Sequence, residues 1–288
     1  MITGNVLQQP VKASWLANKL NLTLQGPDIE IIRVSSLHRL VDSSLTFCKA
    51  PSIEINNAVL VIGFPGVSGG KVSVIISKNP RLDFARALQL LDEAIGFGRP
   101  DDPPQIHPSV KVGQYTVIGR NVIIDEGTVI DHYVVIGDGV QIGRNCRIKS
   151  GAIIGEDGFG FERDDVGQPM RIKHLGSVKI GNCVEVGSLT TVCKGTIEDT
   201  IIEDYAKIDD HNHIGHNVTV KKNAIVTAGC IFSGGTVIGK GAWVGINALT
   251  KQNVKIGDHA LIGMGSVVLK DVETGAKVVG NPARMLPS

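Results

Sequence analysis

The stretch IHPSVKVGQYTVIGRNVIIDEGTVIDHYVVIGDGVQIGRNCRIKSGAIIG, residues 106–155, decides the fold. An aliphatic residue returns every sixth position: Ile106, Val112, Ile118, Ile124, Ile130, Ile136, Ile142, Ile148 and Ile154. The period resumes at Ile180, Val186 and Val192, slips by four residues, and runs again from Ile202 to Val268, with Thr250 as the polar exception. Gly often follows the aliphatic residue, as in Gly113, Gly137, Gly187 and Gly263, where a corner wants little side chain and tolerance of positive φ. Four positions after the aliphatic residue stands a small or β-branched one (Val122, Thr128, Cys146, Ala152, Ala224), so alternation sends both columns to one side of a short strand. A fixed short period of this kind means a solenoid. Three flat hexads per coil give a triangular prism of about eight coils, on the order of 40 Å long at roughly 4.8 Å per rung.

Composition agrees. The 288 residues include 35 Gly but only 2 Trp, 3 Tyr and 7 Phe, so the core is built from Val, Ile, Ala and Thr rather than rings. Lys+Arg 29 against Asp+Glu 28 leaves a net charge of +1, which supplies no field for nucleic acid or anionic lipid, and neither is expected as a partner. Five cysteines at spacings of no metal or redox type form no disulfide framework and point to a reducing compartment. With no basic leader and no long apolar run, a cytoplasmic protein is expected.

Residues 1–98 follow a different pattern. Helical spacing over 11–21 and 83–96 and short apolar strands at 58–63 and 71–77 predict a small α/β domain, joined by the proline-rich linker 96–105 to a β-helix over 105–270 and a tail over 271–288. The β-helix is broken twice. The segment 155–179 is too long for a corner and predicts an extended loop leaning over the coils, and CKGTIEDT (193–200) re-registers the strands.

The repeat resembles the left-handed parallel β-helix of the hexapeptide acyltransferases. IIRVSSLHRLVDSSLTFCKAP, VSVIISKNPRLDFARALQLL, GAIIGEDGFGFE and GSVKIGNCVEVGSLTTVCKGTIEDTIIEDYAKIDD, continuing into HIGHNVTV, are similar to the UDP-3-O-acylglucosamine N-acyltransferases of lipid A biosynthesis. That resemblance implies a catalytic base at His216, an Asp seven residues earlier at Asp209, an oxyanion donor near Gly234, and sugar or nucleotide contacts from Phe47, Asp210, His211 and Asn217. It also implies active sites between neighbouring subunits of a homotrimer. The pattern departs from the family where an aromatic pair with an intervening Asn becomes Phe47, Ala50 and Ile53, where a downstream His becomes Asn253, and where Asp210 replaces Asn. The ending GMGSVVLKDVETGAKVVGNPARMLPS looks instead like acetyl-CoA-dependent sugar acetyltransferases. Lys251, Lys270 and Arg284 then become candidates for CoA phosphates, with Gly263 and Gly280 along the pantetheine arm.

The chemistry fits a histidine. A sugar amine with a pKa of about 8 is mostly protonated at neutral pH and needs a base near 7 to attack a thioester. The expectation is a metal-free N-acyltransferase moving an acyl group from acyl-CoA to a dTDP- or UDP-linked amino sugar. The alternatives are an acyl carrier protein-dependent UDP-3-O-acylglucosamine N-acyltransferase and a non-catalytic or zinc-binding β-helix, the last because His211, His213 and His216 cluster. Asn212 sits in an inward slot, where a buried amide needs a local partner.

Overall fold

The computed structural model describes residues 4–98 and 102–286. The middle of the linker (99–101) and the last two tail residues lie outside them. The chain forms two compact units: Met1–Arg99 with Gly160–Leu175 and Thr196–Glu198, and Pro100–Phe159 with Gly176–Gly195 and Asp199–Ser288.

The first unit is a six-stranded mixed sheet in the order Val6–Lys12, Glu30–Val34, Ser44–Phe47, Leu60–Gly63, Ser73–Ile76, Thr23–Gln25. Its two helices are Ala13–Leu20 and Pro80–Ala94. The second begins three residues before its apolar periodicity does, because the Asn79 side chain accepts the Leu82 N–H at 3.3 Å and Pro80 fills the first turn, where no N–H is needed. Leu16, Ile31, Leu45, Ile62, Ile75, Leu88 and Leu91 make the core between sheet and helices.

The second unit is the parallel β-helix. Strands of two or three residues stack into three sheets of eight, eight and ten strands, parallel throughout except that the last, Arg284–Met285, pairs antiparallel, and each aliphatic residue of the repeat pairs in register with its counterpart on the next coil, as Ile130 with Ile148 and Val192 with Ile214. From Ile124 to Val268 the inward aliphatic and small columns form one continuous buried cluster, each Ile or Val contributing roughly 1.5–3 kcal/mol. The polar exception is satisfied inside it: the hydroxyls of Thr250 and Thr236 lie 2.9 Å apart.

Apart from Gly155, at φ 91, the glycines after the aliphatic column serve a different purpose from the one expected. Positive φ falls two residues further on, mostly at Asn, Tyr, His or another Gly, for example Asn121, His211 and Gly229, and also at Cys183 and Leu189. Gly187 and Gly239 keep ordinary φ; a Cβ there would fall on the backbone of the next coil, Asp209 and Gly257 respectively. Close approach between coils, not left-handed geometry, excludes their side chains.

The long interruption also differs from the expected loop. Phe161–Arg163 pairs antiparallel with Pro169–Arg171, and this hairpin belongs to the first unit, where Ile172 and Leu175 are buried in the core. Arg81 meets Glu162 at 2.8 Å and Arg86 meets Asp165 at 2.7 Å, anchoring the hairpin to the second helix. The slip at Thr196–Glu198 joins the same unit, with the Ser36 hydroxyl donating to Glu198 at 2.8 Å.

Candidate active site

Residues 209–217 run from one corner of the β-helix, along the strand His213–Ile214, to the next corner. His211 and Asn217 take left-handed backbone, φ 58 and 60, at the two turns. Between them Asn212 points inward and is 2% exposed. Its Nδ2 donates to the Asp209 carbonyl at 2.7 Å and, more weakly, to that of Asp210 at 3.4 Å, while its Oδ1 accepts the Cys230 N–H at 2.7 Å. The Thr190 hydroxyl donates to the same Asp209 carbonyl at 2.9 Å and accepts the Asn212 N–H at 3.1 Å. The amide thus finds its partners, and they clamp the Asp209 backbone from inside.

At the far corner the imidazole of His216 is half-buried. Its Nδ1 lies 3.0 Å from the Asn217 side-chain oxygen, and with that oxygen accepting from Nδ1–H, Nε2 is the basic nitrogen. Asn217 is held by its own N–H, which donates to the Thr200 hydroxyl at 2.8 Å. The ring rests on Gly234 one coil on, whose missing Cβ would stand 2.5 Å from Nε2. His213 faces outward with Nδ1 2.8 Å from the Thr191 hydroxyl; partial desolvation, then the nearby His216, pushes its pKa down.

The structure therefore gathers the expected residues into two groups. His216, Asn217 and Gly234 form one, at the corner after the strand. Asp209, Asp210 and His211 form the other, before it. Asp209 is exposed. Asp210 accepts the Ser188 N–H at 2.7 Å and pairs with Lys149 at 2.5 Å, and that hydrogen bond holds its carboxyl below the usual carboxylate range. Lys149 escaped the sequence reading because it lies 61 residues upstream. Counting hexads through both interruptions to the same corner is the signal that would have found it.

The remaining candidates lie elsewhere. Phe47 is half-buried against Phe84, ring centroids 4.8 Å apart, among the residues packed on the first unit's core. Lys251 and Lys270 are exposed on the β-helix. The Gly263 corner is covered by Val279 and Val278 of the returning tail strand, Gly280 turns the chain at φ 95, and Arg284 donates to the Ala283 carbonyl at 3.1 Å. Burial raises the thiols of Cys146, Cys230 and Cys193, the last to about 11, so none is a ready thiolate. Among the described residues no group of His, Cys, Asp and Glu is arranged to hold a metal ion.

The coiled stack of hexads is that of the hexapeptide class of acyltransferases, and the chain matches the family described as bacterial transferase hexapeptide (six repeats) at residues 121–156 and 235–270. It is 31% identical over 94% of its length to the UDP-3-O-acylglucosamine N-acyltransferase of Campylobacter concisus, covering 92% of that protein, and 33% identical over 75% of its length to that of Coxiella burnetii, covering 72%. Over 65% of the chain the fold is similar to that of LpxA from Acinetobacter baumannii, with TM-score 0.59, 28% identity and 70% of that chain covered. The chain belongs to the UDP-3-O-acylglucosamine N-acyltransferase family.

This corrects the expected donor and activity. The acyl-CoA reading, and with it an unspecified dTDP- or UDP-linked amino sugar, rested on the tail and on Phe47, Ala50 and Ile53. Relatives matched over 94% of the chain carry the name of the alternative, and the Gly263 corner assigned to the pantetheine arm is filled by Val279 of the tail. Acyl-CoA is withdrawn as co-substrate.

Proposed function

We propose that this chain acylates the amine of UDP-3-O-acylglucosamine, taking the acyl group from its thioester on acyl carrier protein. The observation that carries the reading is the His216 imidazole, oriented by Asn217 through Nδ1 and seated on Gly234. In this reading Nε2 takes a proton from the amine as its nitrogen bonds to the thioester carbonyl carbon. The tetrahedral oxyanion is met by backbone N–H at the Gly234 corner. The C–S bond then breaks, and the imidazolium returns the proton to the departing thiolate, so no covalent enzyme intermediate is required. Asp209 faces the sugar from the other corner.

The enzyme works in this reading as a cytoplasmic homotrimer. An outward column of Val117, Val135, Ile153, Ile231, Leu249 and Val267 along the face that bears His213 supports packing between subunits. Among the described residues no helix is long and apolar enough to cross a membrane.

His216→Ala is expected to lower kcat on UDP-3-O-acylglucosamine and acyl carrier protein by about two to four orders of magnitude while leaving sugar-nucleotide binding intact. A near-normal rate refutes the base assignment. A wild-type protein that leaves this pair of substrates unchanged refutes the activity.

A further inference from the structure

The corner bearing Asp209 and Asp210 is reached by a side chain from two coils away. Arg147, Glu185 and Lys207 are register partners on successive rungs, so Lys149, Gly187 and Asp209 follow one another at the same corner. On the middle rung Gly187 has no side chain, and a Cβ there would fall on the Asp209–Asp210 peptide. Lys149 crosses this bare rung and sets Nζ 2.5 Å from Asp210 Oδ1, the oxygen that also accepts the Ser188 N–H at 2.7 Å. The hydrogen bond to Asp210, and then the charges of Asp209 and Glu185, raise the pKa of this ammonium.

The pair is partly exposed, Lys149 at 26% and Asp210 at 36%, and an ion pair so open to water adds little to stability. Its effect is local. Without the ammonium, two consecutive carboxylates repel one another and both compete for a cationic amine. With it, Asp210 is neutralised and tethered on the outer side, while Thr190 and Asn212 hold the Asp209 carbonyl on the inner side.

We propose that Lys149 is a positioning residue for sugar binding: by tethering Asp210 across the bare rung of Gly187, it leaves Asp209 as the one carboxylate presented to the amine-bearing ring. This rests on the reading of the activity given above. The role predicts a change in substrate affinity rather than in the chemical step.

The test compares the full-length wild type, Lys149→Met and the double variant Lys149→Gln, Asp210→Asn, which replaces the ion pair by a neutral amide pair. Steady-state kinetics are measured on UDP-3-O-acylglucosamine, with amide hydrogen exchange at Ser188 alongside. Lys149→Met is expected to raise KM for the sugar nucleotide about tenfold or more with kcat within about threefold, and to speed exchange at Ser188; the double variant is expected to restore both. Unchanged KM in Lys149→Met, a loss confined to kcat, or a double variant no better than the single one overturns the proposal. If the wild type shows no turnover, the assigned activity falls separately, and the exchange arm decides the tether: unchanged exchange at Ser188 in Lys149→Met overturns it, and faster exchange restored in the double variant supports it.

Discussion

Gly234→Ala is the sharpest perturbation available at the His216 corner. Gly234 keeps ordinary backbone φ, unlike its neighbour Gly235 at φ 73, so an alanine is accommodated by the main chain itself. Its Cβ, however, would stand 2.5 Å from His216 Nε2 and 2.9 Å from Nδ1, where ordinary contact begins near 3.4 Å. The imidazole has to move by about 1 Å, and a displacement of that size at a reacting group costs about 10²-fold in rate, equivalent to about 2.7 kcal/mol of transition-state stabilisation. The ring is half-buried at the surface of the coil, so its displacement leaves the stacked core untouched and the melting temperature is expected to change by only a few degrees. The assay is kcat with UDP-3-O-acylglucosamine and acyl carrier protein thioester beside a thermal melt. A variant within threefold of wild type, with an unchanged melt, shows that the seated position of the ring is not the reactive one and refutes the reasoning.

Asn212→Val restores an aliphatic residue to the inward column yet removes the acceptor of the Cys230 N–H and a donor to the Asp209 carbonyl, so urea unfolding should show a loss of about 1–3 kcal/mol; equal or greater stability contradicts the clamp. His213 has its pKa lowered in the folded state, so on acidification the unfolded chain takes up its proton first, and stability falls as pH drops from about 6.5 toward the folded value. Melting temperatures between pH 8 and 5 should show this loss in the wild type and a smaller one in His213→Gln; identical slopes count against the desolvated ring.

The β-helix was legible in the sequence because a hexad forces two residues in six inward, one aliphatic and one small, and repeats that demand on every coil. Short strands of the first unit such as Glu30–Val34 and Ser44–Phe47 were not, since they repeat nothing and become strands by pairing with distant partners. His216, the proposed base, stood out in the sequence through its motif. Its seat on Gly234 was not visible as a packing contact, because the reading assigned that glycine a backbone donor role. Lys149 was hidden by the two interruptions, which shift the coil register between residue 149 and the corner it reaches. The expected donor was misread because a turn-rich tail has the same composition whether its glycines approach a cofactor or a neighbouring strand. At Gly263 it is the strand, with Val279 filling the space.

The two interruptions have a consequence for how such a molecule acquires new parts. Successive coils make the same bond from a corner N–H to a side chain on the next coil: Arg120 to Asp138 and Lys240 to Asp258 at a separation of 18 residues, Arg144 to Asn182 at 38, and Asn182 to Asp204 at 22. Closing the longest of these circuits instead of the regular one costs only about 0.7 kcal/mol of chain entropy, and the shorter slip about 0.2 kcal/mol, because the penalty grows with the logarithm of length. One rung buries several aliphatic side chains and outweighs either sum. A coil can therefore eject a segment between two of its strands and close again in register, so that the chain gains new surface while the stack keeps its count.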